Sequence, residues 1–192
     1  MLQLLRRLRP AAVTAPLKRA VAELLHARGD LDATAGAVNT LYYSETTQRF
    51  YAANTDLAGA HALLSPLANA AQVAVWGGGG TLDVLREVLP QARYFSSRTG
   101  QDRAERTDIA WQPEAVVWAS GSAREGSSPP ADWTPREIYD LSYGEDSAGR
   151  EYALCCGARY VSGLAMFFAQ AEAQREFFAK TAALFDAGKN QR

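Results

Sequence analysis

VAVWGGGGTL, residues 73–82, is the stretch that decides the fold of this chain. Its first four residues form a short continuous apolar run, which is typical of a strand buried on both faces of a sheet. Four glycines follow, and Leu82–Leu89 is predicted to be a helix that ends at Pro90. A strand, a glycine turn and a helix in this order indicate the first unit of an α/β fold.

The rest of the chain continues this alternation of strands and helices. Downstream strands are predicted at Ala92–Ser96, Ala115–Trp118, Ile138–Leu141 and Arg159–Val161. Helices are predicted at 148–156 and 163–185, and Ser120–Thr134 is predicted to be a loop rich in Gly, Ser and Pro. Upstream, the pattern predicts helices at 2–9, 18–27 and 56–64, and strands at 37–43 and 50–53. We therefore predict an α/β protein with a Rossmann-type, doubly wound parallel sheet.

Composition limits the classes of protein to consider. The chain has 192 residues, 47% of them hydrophobic and 21% charged, with a net charge of −1, which is ordinary for a folded protein and does not favour nucleic-acid binding. No apolar stretch approaches the roughly 20 residues that cross a membrane. Cys155 and Cys156 are adjacent, which argues against a disulfide framework or a metal site and favours a cytoplasmic setting. The basic N-terminus is interpreted as a surface helix rather than a transit peptide.

The glycine run suggests a ligand. A dinucleotide pyrophosphate needs close approach to the backbone and exposed N–H groups at the start of a helix. Gly77, Gly78, Gly79 and Gly80 allow both, because no Cβ blocks the ligand or the positive φ angles. The alternative is a flexible turn between strand and helix. With a second strand in place, the pattern favours a phosphate site for a nicotinamide dinucleotide.

The residues after the second strand suggest which dinucleotide binds. NAD sites usually carry an acidic residue about 20 positions after the first glycine, where it holds the ribose 2′-hydroxyl. Here that place holds Ser97, Arg98 and Thr99. An arginine can pair with a 2′-phosphate, and Arg103 is a candidate second contact. The sequence thus favours NADP(H), the alternative being that Arg98 is a solvated residue at a strand end.

Three motifs lie in the N-terminal third of the chain. They are VTAPLK at 13–18, AVNTL at 37–41 and NTD at 54–56. Singly, each has an ordinary explanation: Lys18 as a surface lysine, Asn39 as a turn residue and Asp56 as a helix cap.

Together, the motifs resemble the shikimate dehydrogenase family, which carries V-T-x-P-x-K, G-A-V-N-T and N-T-D-x-x-G in this order. The stretch 97–99 is similar to the family's N-R-T motif, with Ser97 in place of Asn. DLSY at 140–143 is similar to its D-x-x-Y strand end, and 163–170 resembles its G-L-x-M-x-x-x-Q helix. The resemblance runs from about Leu4 to Phe178.

The resemblance implies an NADP-dependent oxidoreductase that interconverts 3-dehydroshikimate and shikimate, or a related acid such as quinate, in aromatic amino acid biosynthesis. It implies that Lys18 and Asp56 form the catalytic pair. A lysine beside a carboxylate suits the chemistry, since ketone reduction needs a proton on oxygen. The implied substrate-binding residues are Thr14, Asn39, Asp56, Tyr143 and Gln170. Gly163 and Met166 would lie near the nicotinamide.

The resemblance also predicts the domain organisation. We expect a partial substrate-binding domain at 1–64, an NADP-binding domain at 65–162 and a returning helix at 163–192. The family normally begins with a strand–helix–strand segment whose serine pair anchors the substrate carboxylate, and this chain starts just before Val13. A shortened substrate domain with an exposed sheet edge is expected. A fragment, a shortened paralogue and an enzyme for another substrate remain alternatives, as does an NADP(H)-binding protein without turnover, and a homodimer is a candidate assembly.

Overall fold

The computed structural model describes residues 2–27, 36–106, 111–121 and 128–186. The helices are α1 Leu2–Arg7, α2 Leu17–His26, α3 Asp56–Leu64, α4 Leu82–Val88, α5 Ala148–Cys156 and α6 Leu164–Asp186. The strands are β1 Ala11–Ala12, β2 Thr40–Ser44, β3 Arg49–Ala53, β4 Val73–Gly77, β5 Arg93–Phe95, β6 Ala115–Ala119, β7 Glu137–Asp140 and β8 Arg159–Val161. Short 3₁₀ helices cover Ser65–Leu67 and Gly79–Thr81. Within the described ranges, no helix has both the length and the apolar character that spanning a membrane requires.

The chain divides into two compact units. The first comprises Met1–Ala58 and Ala169–Arg192, and the second comprises Gly59–Phe168. The roles predicted for the ranges 1–64, 65–162 and 163–192 stay predictions. Residues 122–127 of the predicted loop at 120–134 lie outside the described residues.

The first unit is built on an antiparallel sheet in the order β1-β2-β3. Helix α2 buries Val21, Ala22 and Leu25 in a core shared with strand residues such as Leu41 and Phe50. Those three helix positions have i, i+1 and i+4 spacing, which places them on one face of the helix. The amphipathic pattern of α2 therefore explains why this helix lies against the sheet.

Strand β2 begins later than the sequence pattern predicts. The apolar run suggested a strand from Ala37, whereas the strand begins at Thr40. Val38 is fully buried, but its backbone N–H donates to the carbonyl of Lys18 in α2 rather than to a neighbouring strand. The apolar pattern thus predicted correctly that Val38 is buried, but the prediction that it belongs to a strand was wrong.

The second unit contains the predicted parallel sheet. Its five strands lie in the order β5-β4-β6-β7-β8, and every neighbouring pair is parallel. The chain leaves β4 toward one edge, forms β5, and then crosses to the other side of β4 to form β6. This reversal confirms the predicted doubly wound order, and it creates a topological switch point at the carboxyl ends of β4 and β6.

Only two of the four connections in this sheet contain a helix among the residues that the structure describes. Helix α4 joins β4 to β5, and α5 joins β7 to β8. Tyr94 fixes α4 to β5, since its hydroxyl lies 2.7 Å from the carbonyl oxygen of Leu85 and 2.9 Å from that of Leu89. Burial raises the pKa of Tyr94 to about 12, so its neutral, hydrogen-bonded form is favoured.

Aromatic side chains cover part of one face of the sheet. Trp133 lies with its ring centroid 4.9 Å from that of Phe95, 5.9 Å from Trp111 and 6.0 Å from Trp76, in edge-to-face arrangements. Trp111 and Trp133 belong to the described parts of the β5–β6 and β6–β7 connections. Large rings bury much apolar area per residue. These two loops therefore contribute to the core on this face through single bulky side chains.

We expect Trp133→Ala to lower the free energy of unfolding by about 3–5 kcal/mol, because it empties the centre of this aromatic cluster. Urea denaturation measures the change. Phe168→Ala is the matched control, since that ring is 64% exposed and its loss should cost within about 0.5 kcal/mol. Equal losses for the two variants would contradict the role given to Trp133.

Candidate functional site

Asn39 is the centre of a buried hydrogen-bond network in the first unit. Its side chain is 2% exposed, and its Oδ1 accepts the backbone N–H of Thr55 at 2.8 Å and the hydroxyl of Thr40 at 2.8 Å. Its Nδ2 donates to the Asp56 carboxylate at 2.8 Å and to the Thr55 hydroxyl at 3.0 Å. One amide thus joins the start of β2 to the start of α3.

Lys18 and Asp56 form an ion pair at this network. The Lys18 Nζ donates to Asp56 Oδ2 at 2.5 Å, and the two side chains are 14% and 3% exposed. Asn39 holds the other carboxylate oxygen, so Asp56 is compensated on both sides. A buried carboxylate is costly unless it is paired and hydrogen-bonded. The ammonium keeps donors beyond the one that Asp56 uses, and these can serve another oxygen atom.

The structure therefore brings together three of the predicted residues, Lys18, Asn39 and Asp56. It also excludes the ordinary explanation of Asp56 as a mere helix cap, because its carboxylate bonds to Lys18 and Asn39. The backbone N–H of Asp56 is instead accepted by Asn54 Oδ1 at 3.3 Å. Thr14 is exposed, and Gln170 is partly exposed on α6; their contact with a substrate stays a prediction.

The glycine run forms a tight turn at the carboxyl end of β4. Gly77, Gly78 and Gly79 have φ angles of +100°, +117° and +45°. A Cβ on Gly77 would lie 2.9 Å from the carbonyl oxygen of Ala119 in β6, whereas one on Gly79 would meet no atom within 4 Å. Gly77 is thus required for packing between strands, and Gly79 borders open space that a ligand can enter. Gly80 follows in the same 3₁₀ turn.

Positive charge lies beside this turn. Arg103 donates from Nη2 to the carbonyl oxygen of Gly77 at 3.3 Å. Its backbone N–H bonds to the carbonyl of Tyr94 at 2.7 Å, which fixes the segment after β5 against that strand. Arg103 also lines a pocket of about 350 Å³ with Arg86 and Arg106. Arg103 can therefore attract an anion near the glycine turn.

Ser97, Arg98 and Thr99 form the turn that directly follows β5. Gly100 N–H donates to the Ser96 carbonyl at 2.7 Å and closes this turn. Arg98 is exposed, so its guanidinium is accessible to a ligand phosphate. The three residues lie at the carboxyl edge of the sheet, and the nucleotide contacts assigned to them stay predictions.

Asp140 organises the carboxyl end of β7. It is fully buried, and its carboxylate accepts the hydroxyl of Ser147, the hydroxyl of Tyr160 at 3.1 Å and the backbone N–H of Ser142 at 2.8 Å. Burial first, and then the charge of Asp140, raises the pKa of Tyr160. Asp140 thereby fixes both ends of the loop that contains Tyr143.

Tyr143, Gly163 and Met166 lie beyond this strand end. Tyr143 is 57% exposed, and its ring packs against that of Phe167, with 4.9 Å between the ring centroids. Its loop, residues 141–147, lines an open pocket of about 440 Å³. A Cβ on Gly163 would come within 2.5 Å of the Leu141 carbonyl oxygen, so the fold itself requires glycine there. Met166 is buried, at 7% exposure.

Several residues of these networks were not predicted from the sequence. Thr40 and Thr55 lie inside the quoted motifs, but their hydroxyls give no pattern of their own. Gln174 donates to the Thr40 hydroxyl at 2.9 Å. It lies one helical turn after Gln170, so helical periodicity could have placed it on the same face. Ser147 and Tyr160 could be found only from the fold.

The fold and site define an α/β protein with a Rossmann-type parallel sheet and a buried lysine–carboxylate pair. No protein-family model matches the chain. The chain is 31% identical over 137 residues to the NADP(+) shikimate dehydrogenase of Exiguobacterium sibiricum, an alignment that covers 66% of this chain and 51% of that protein. The chain thus spans about half the length of this curated relative. The resemblance to shikimate dehydrogenases that the motifs predicted is confirmed.

Solved structures of shikimate dehydrogenases share the fold. The Thermus thermophilus enzyme, solved in complex with NADP(H) and shikimate, superposes with a TM-score of 0.66 and 21% identity, covering 93% of this chain and 76% of that one. The Listeria monocytogenes enzyme, in complex with shikimate and NAD, has a TM-score of 0.64 and 20% identity, with the same coverage. Shikimate dehydrogenase 1 of Peptoclostridium difficile has a TM-score of 0.65 and 18% identity, covering 91% of this chain and 72% of that one.

We expect Gly77→Ala to destabilise the protein more than Gly79→Asn. Alanine at position 77 combines a strained φ angle with a collision against the Ala119 carbonyl, at a cost of about 1–3 kcal/mol. Asparagine tolerates the left-handed region, so the change at the open position 79 should cost less than about 1 kcal/mol. Urea denaturation measures both losses, and equal losses would contradict the distinction between the two glycines.

Proposed function

We propose that this protein is an NADP-dependent dehydrogenase that interconverts 3-dehydroshikimate and shikimate, or a closely related cyclic acid. The observation that carries the proposal is the buried pair of Lys18 and Asp56, held by Asn39. The sequence similarity to an NADP(+) shikimate dehydrogenase supports the same activity.

The chemistry follows from the hydrogen bonds of the pair. When bound, the dinucleotide would supply a hydride to the carbonyl carbon, which leaves negative charge on the carbonyl oxygen. Lys18 would donate a hydrogen bond and then the proton to that oxygen. Asp56 holds the ammonium in place, and Asn39 holds Asp56. In the reverse direction, Lys18 would accept the proton of the substrate hydroxyl.

The residues of the second unit fit a dinucleotide. Gly79 borders open space at the carboxyl end of β4, where phosphates approach the backbone in such sheets. Arg103 places a positive charge beside Gly77. Arg98, exposed in the turn after β5, would pair with a 2′-phosphate and thus favour NADP(H) over NAD. The Listeria enzyme was solved with NAD and the Thermus enzyme with NADP(H), so the preference rests on Arg98.

We expect Lys18→Met and Asp56→Asn each to lower kcat/KM for shikimate by about 10²–10⁴-fold, because the proton donor or its support is lost. NADPH formation, followed at 340 nm, measures the rate. Lys180→Met is the control, since that exposed lysine on α6 pairs with Glu176 at 3.3 Å.

The two single variants leave one buried charge unpaired, which can destabilise the fold by about 3–5 kcal/mol. The double variant Lys18→Met/Asp56→Asn carries no such charge and should keep the wild-type Tm while remaining inactive. Wild-type turnover no faster than that of the double variant, with NADPH still raising the Tm, would replace the proposal with a binding protein without turnover.

We expect Arg98→Asp to lower the ratio of kcat/KM for NADP to that for NAD by about 10–100-fold, through loss of a charge-assisted contact with the 2′-phosphate. Arg136→Asp makes the same charge change just before β7, at the amino end of the parallel strands, and should leave the ratio unchanged. An unaltered ratio in Arg98→Asp would exclude the proposed 2′-phosphate contact.

A further inference from the structure

We propose that Gln174 is a positioning residue that orders the hydrogen-bond chain leading to the Lys18–Asp56 pair. This inference rests on the proposed function for its kinetic meaning. This hydrogen-bond chain runs from α6 through β2 to α3, and all of its members belong to the first unit. Its members are Gln174, Thr40, Asn39, Asp56 and Lys18.

The distances make the chain continuous. Gln174 Nε2 donates to Thr40 Oγ1 at 2.9 Å, and Thr40 donates to Asn39 Oδ1 at 2.8 Å. Asn39 Nδ2 then donates to Asp56 Oδ1 at 2.8 Å. Lys18 completes the chain by donating to the other oxygen of Asp56 at 2.5 Å.

The Thr40 hydroxyl determines which groups donate and which accept along the hydrogen-bond chain. Its hydroxyl has one hydrogen to donate, and it lies near two oxygens, Asn39 Oδ1 at 2.8 Å and Thr55 Oγ1 at 3.3 Å. An amide N–H from Gln174 occupies a lone pair of Thr40, so the hydroxyl acts as acceptor from α6 and as donor toward Asn39. Hydrogen bonds in such a chain also polarise one another.

Burial makes this order important. Thr40 is 0% exposed and Asn39 is 2% exposed, so water cannot replace Gln174 at no cost. Within this hydrogen-bond chain, Asn39 is the neutral group that donates to the Asp56 carboxylate. If the Thr40 hydroxyl turns its hydrogen to Thr55, Asn39 Oδ1 keeps the backbone N–H of Thr55 but loses its Thr40 donor. The Asn39 amide, and through it Asp56 and Lys18, is then held less firmly. Gln174 thereby acts on the pair without touching it.

Gln174 also bears on the position of Gln170. Residues four apart on a helix lie one above the other on the same face. The bond between Gln174 and β2 fixes the rotation of α6 at this turn, and Gln170 is presented by the same face. Gln174 therefore determines the setting of two proposed site groups, Gln170 on its own helix and Asp56 across the hydrogen-bond chain.

Three substitutions at position 174 distinguish the effect of the hydrogen-bond donor from that of the side-chain size. Gln174→Lys keeps a donor, Gln174→Met keeps the length without a donor, and Gln174→Glu keeps the shape but is acceptor-only when ionised. All four residues have similar helix propensity. Ionised glutamate would take the Thr40 hydrogen for itself and reverse the chain at that point.

We expect Gln174→Met to lower kcat by about three- to tenfold and Gln174→Glu to lower it at least as much, with the KM for NADP unchanged. Gln174→Lys should retain near-wild-type kcat. The side-chain amide resonances of Asn39 in ¹H–¹⁵N NMR spectra should shift in the Met and Glu variants and stay near their wild-type positions in the Lys variant. Gln91→Met is the control, because Gln91 donates to the carbonyls of Leu67 and Ala68 in the second unit.

The NMR measurement needs no substrate, so it separates this proposal from the proposed function. Wild-type inactivity with shifted Asn39 resonances in the Met and Glu variants would remove the function and keep the hydrogen-bond chain. Unshifted Asn39 resonances in both the Met and the Glu variant would overturn the proposed hydrogen-bond chain. Equal loss of Tm and kcat in all three variants, lysine included, would overturn it too, since side-chain packing rather than donation would then be decisive.

Discussion

The carboxylate of Asp56 is the constraint on which the first unit depends. It is 3% exposed, and a charge that deep must be met by partners from other segments. Lys18 arrives from α2 and Asn39 from the residue before β2, so a single carboxylate ties together a helix, a strand and the start of α3. The predicted reactive pair is thus also the polar centre of its own unit, so removing either partner alone alters both the geometry and the stability there.

The second unit depends on backbone proximity. At the carboxyl ends of its parallel strands, Gly77 has no room for a Cβ beside Ala119, and Gly163, just after β8, has none beside Leu141. Asp140 fixes the adjoining loop by accepting from Ser147, Tyr160 and Ser142. Trp133 and its aromatic neighbours fill part of the sheet face that loops cover. Contacts within the protein therefore hold the edge of the sheet where a nucleotide is proposed to bind.

The sequence predicted the elements well because their periodicities are strong. The apolar run at 73–76 and the amphipathic α2 reported burial directly, and both appear as expected. It could not predict that Val38 is buried without being in a strand, because hydrophobicity carries no information on backbone pairing. The grouping of Lys18, Asn39 and Asp56 came from motif resemblance, while Gln174 and Tyr160 became visible only when the fold placed distant segments side by side.

The close packing of Gly163 against Leu141 affects how such sequences are interpreted. A glycine that the backbone needs will persist in any descendant that keeps the fold, whether or not it still binds a nucleotide. The same holds for Gly77, but not for Gly79, where the fold leaves space for a side chain. In a lineage that lost its chemistry, we expect Gly79 to be replaced before Gly77 or Gly163, by a residue such as asparagine that tolerates a φ of +45°. The residue at this position is therefore a more sensitive marker of lost function than an intact glycine motif as a whole.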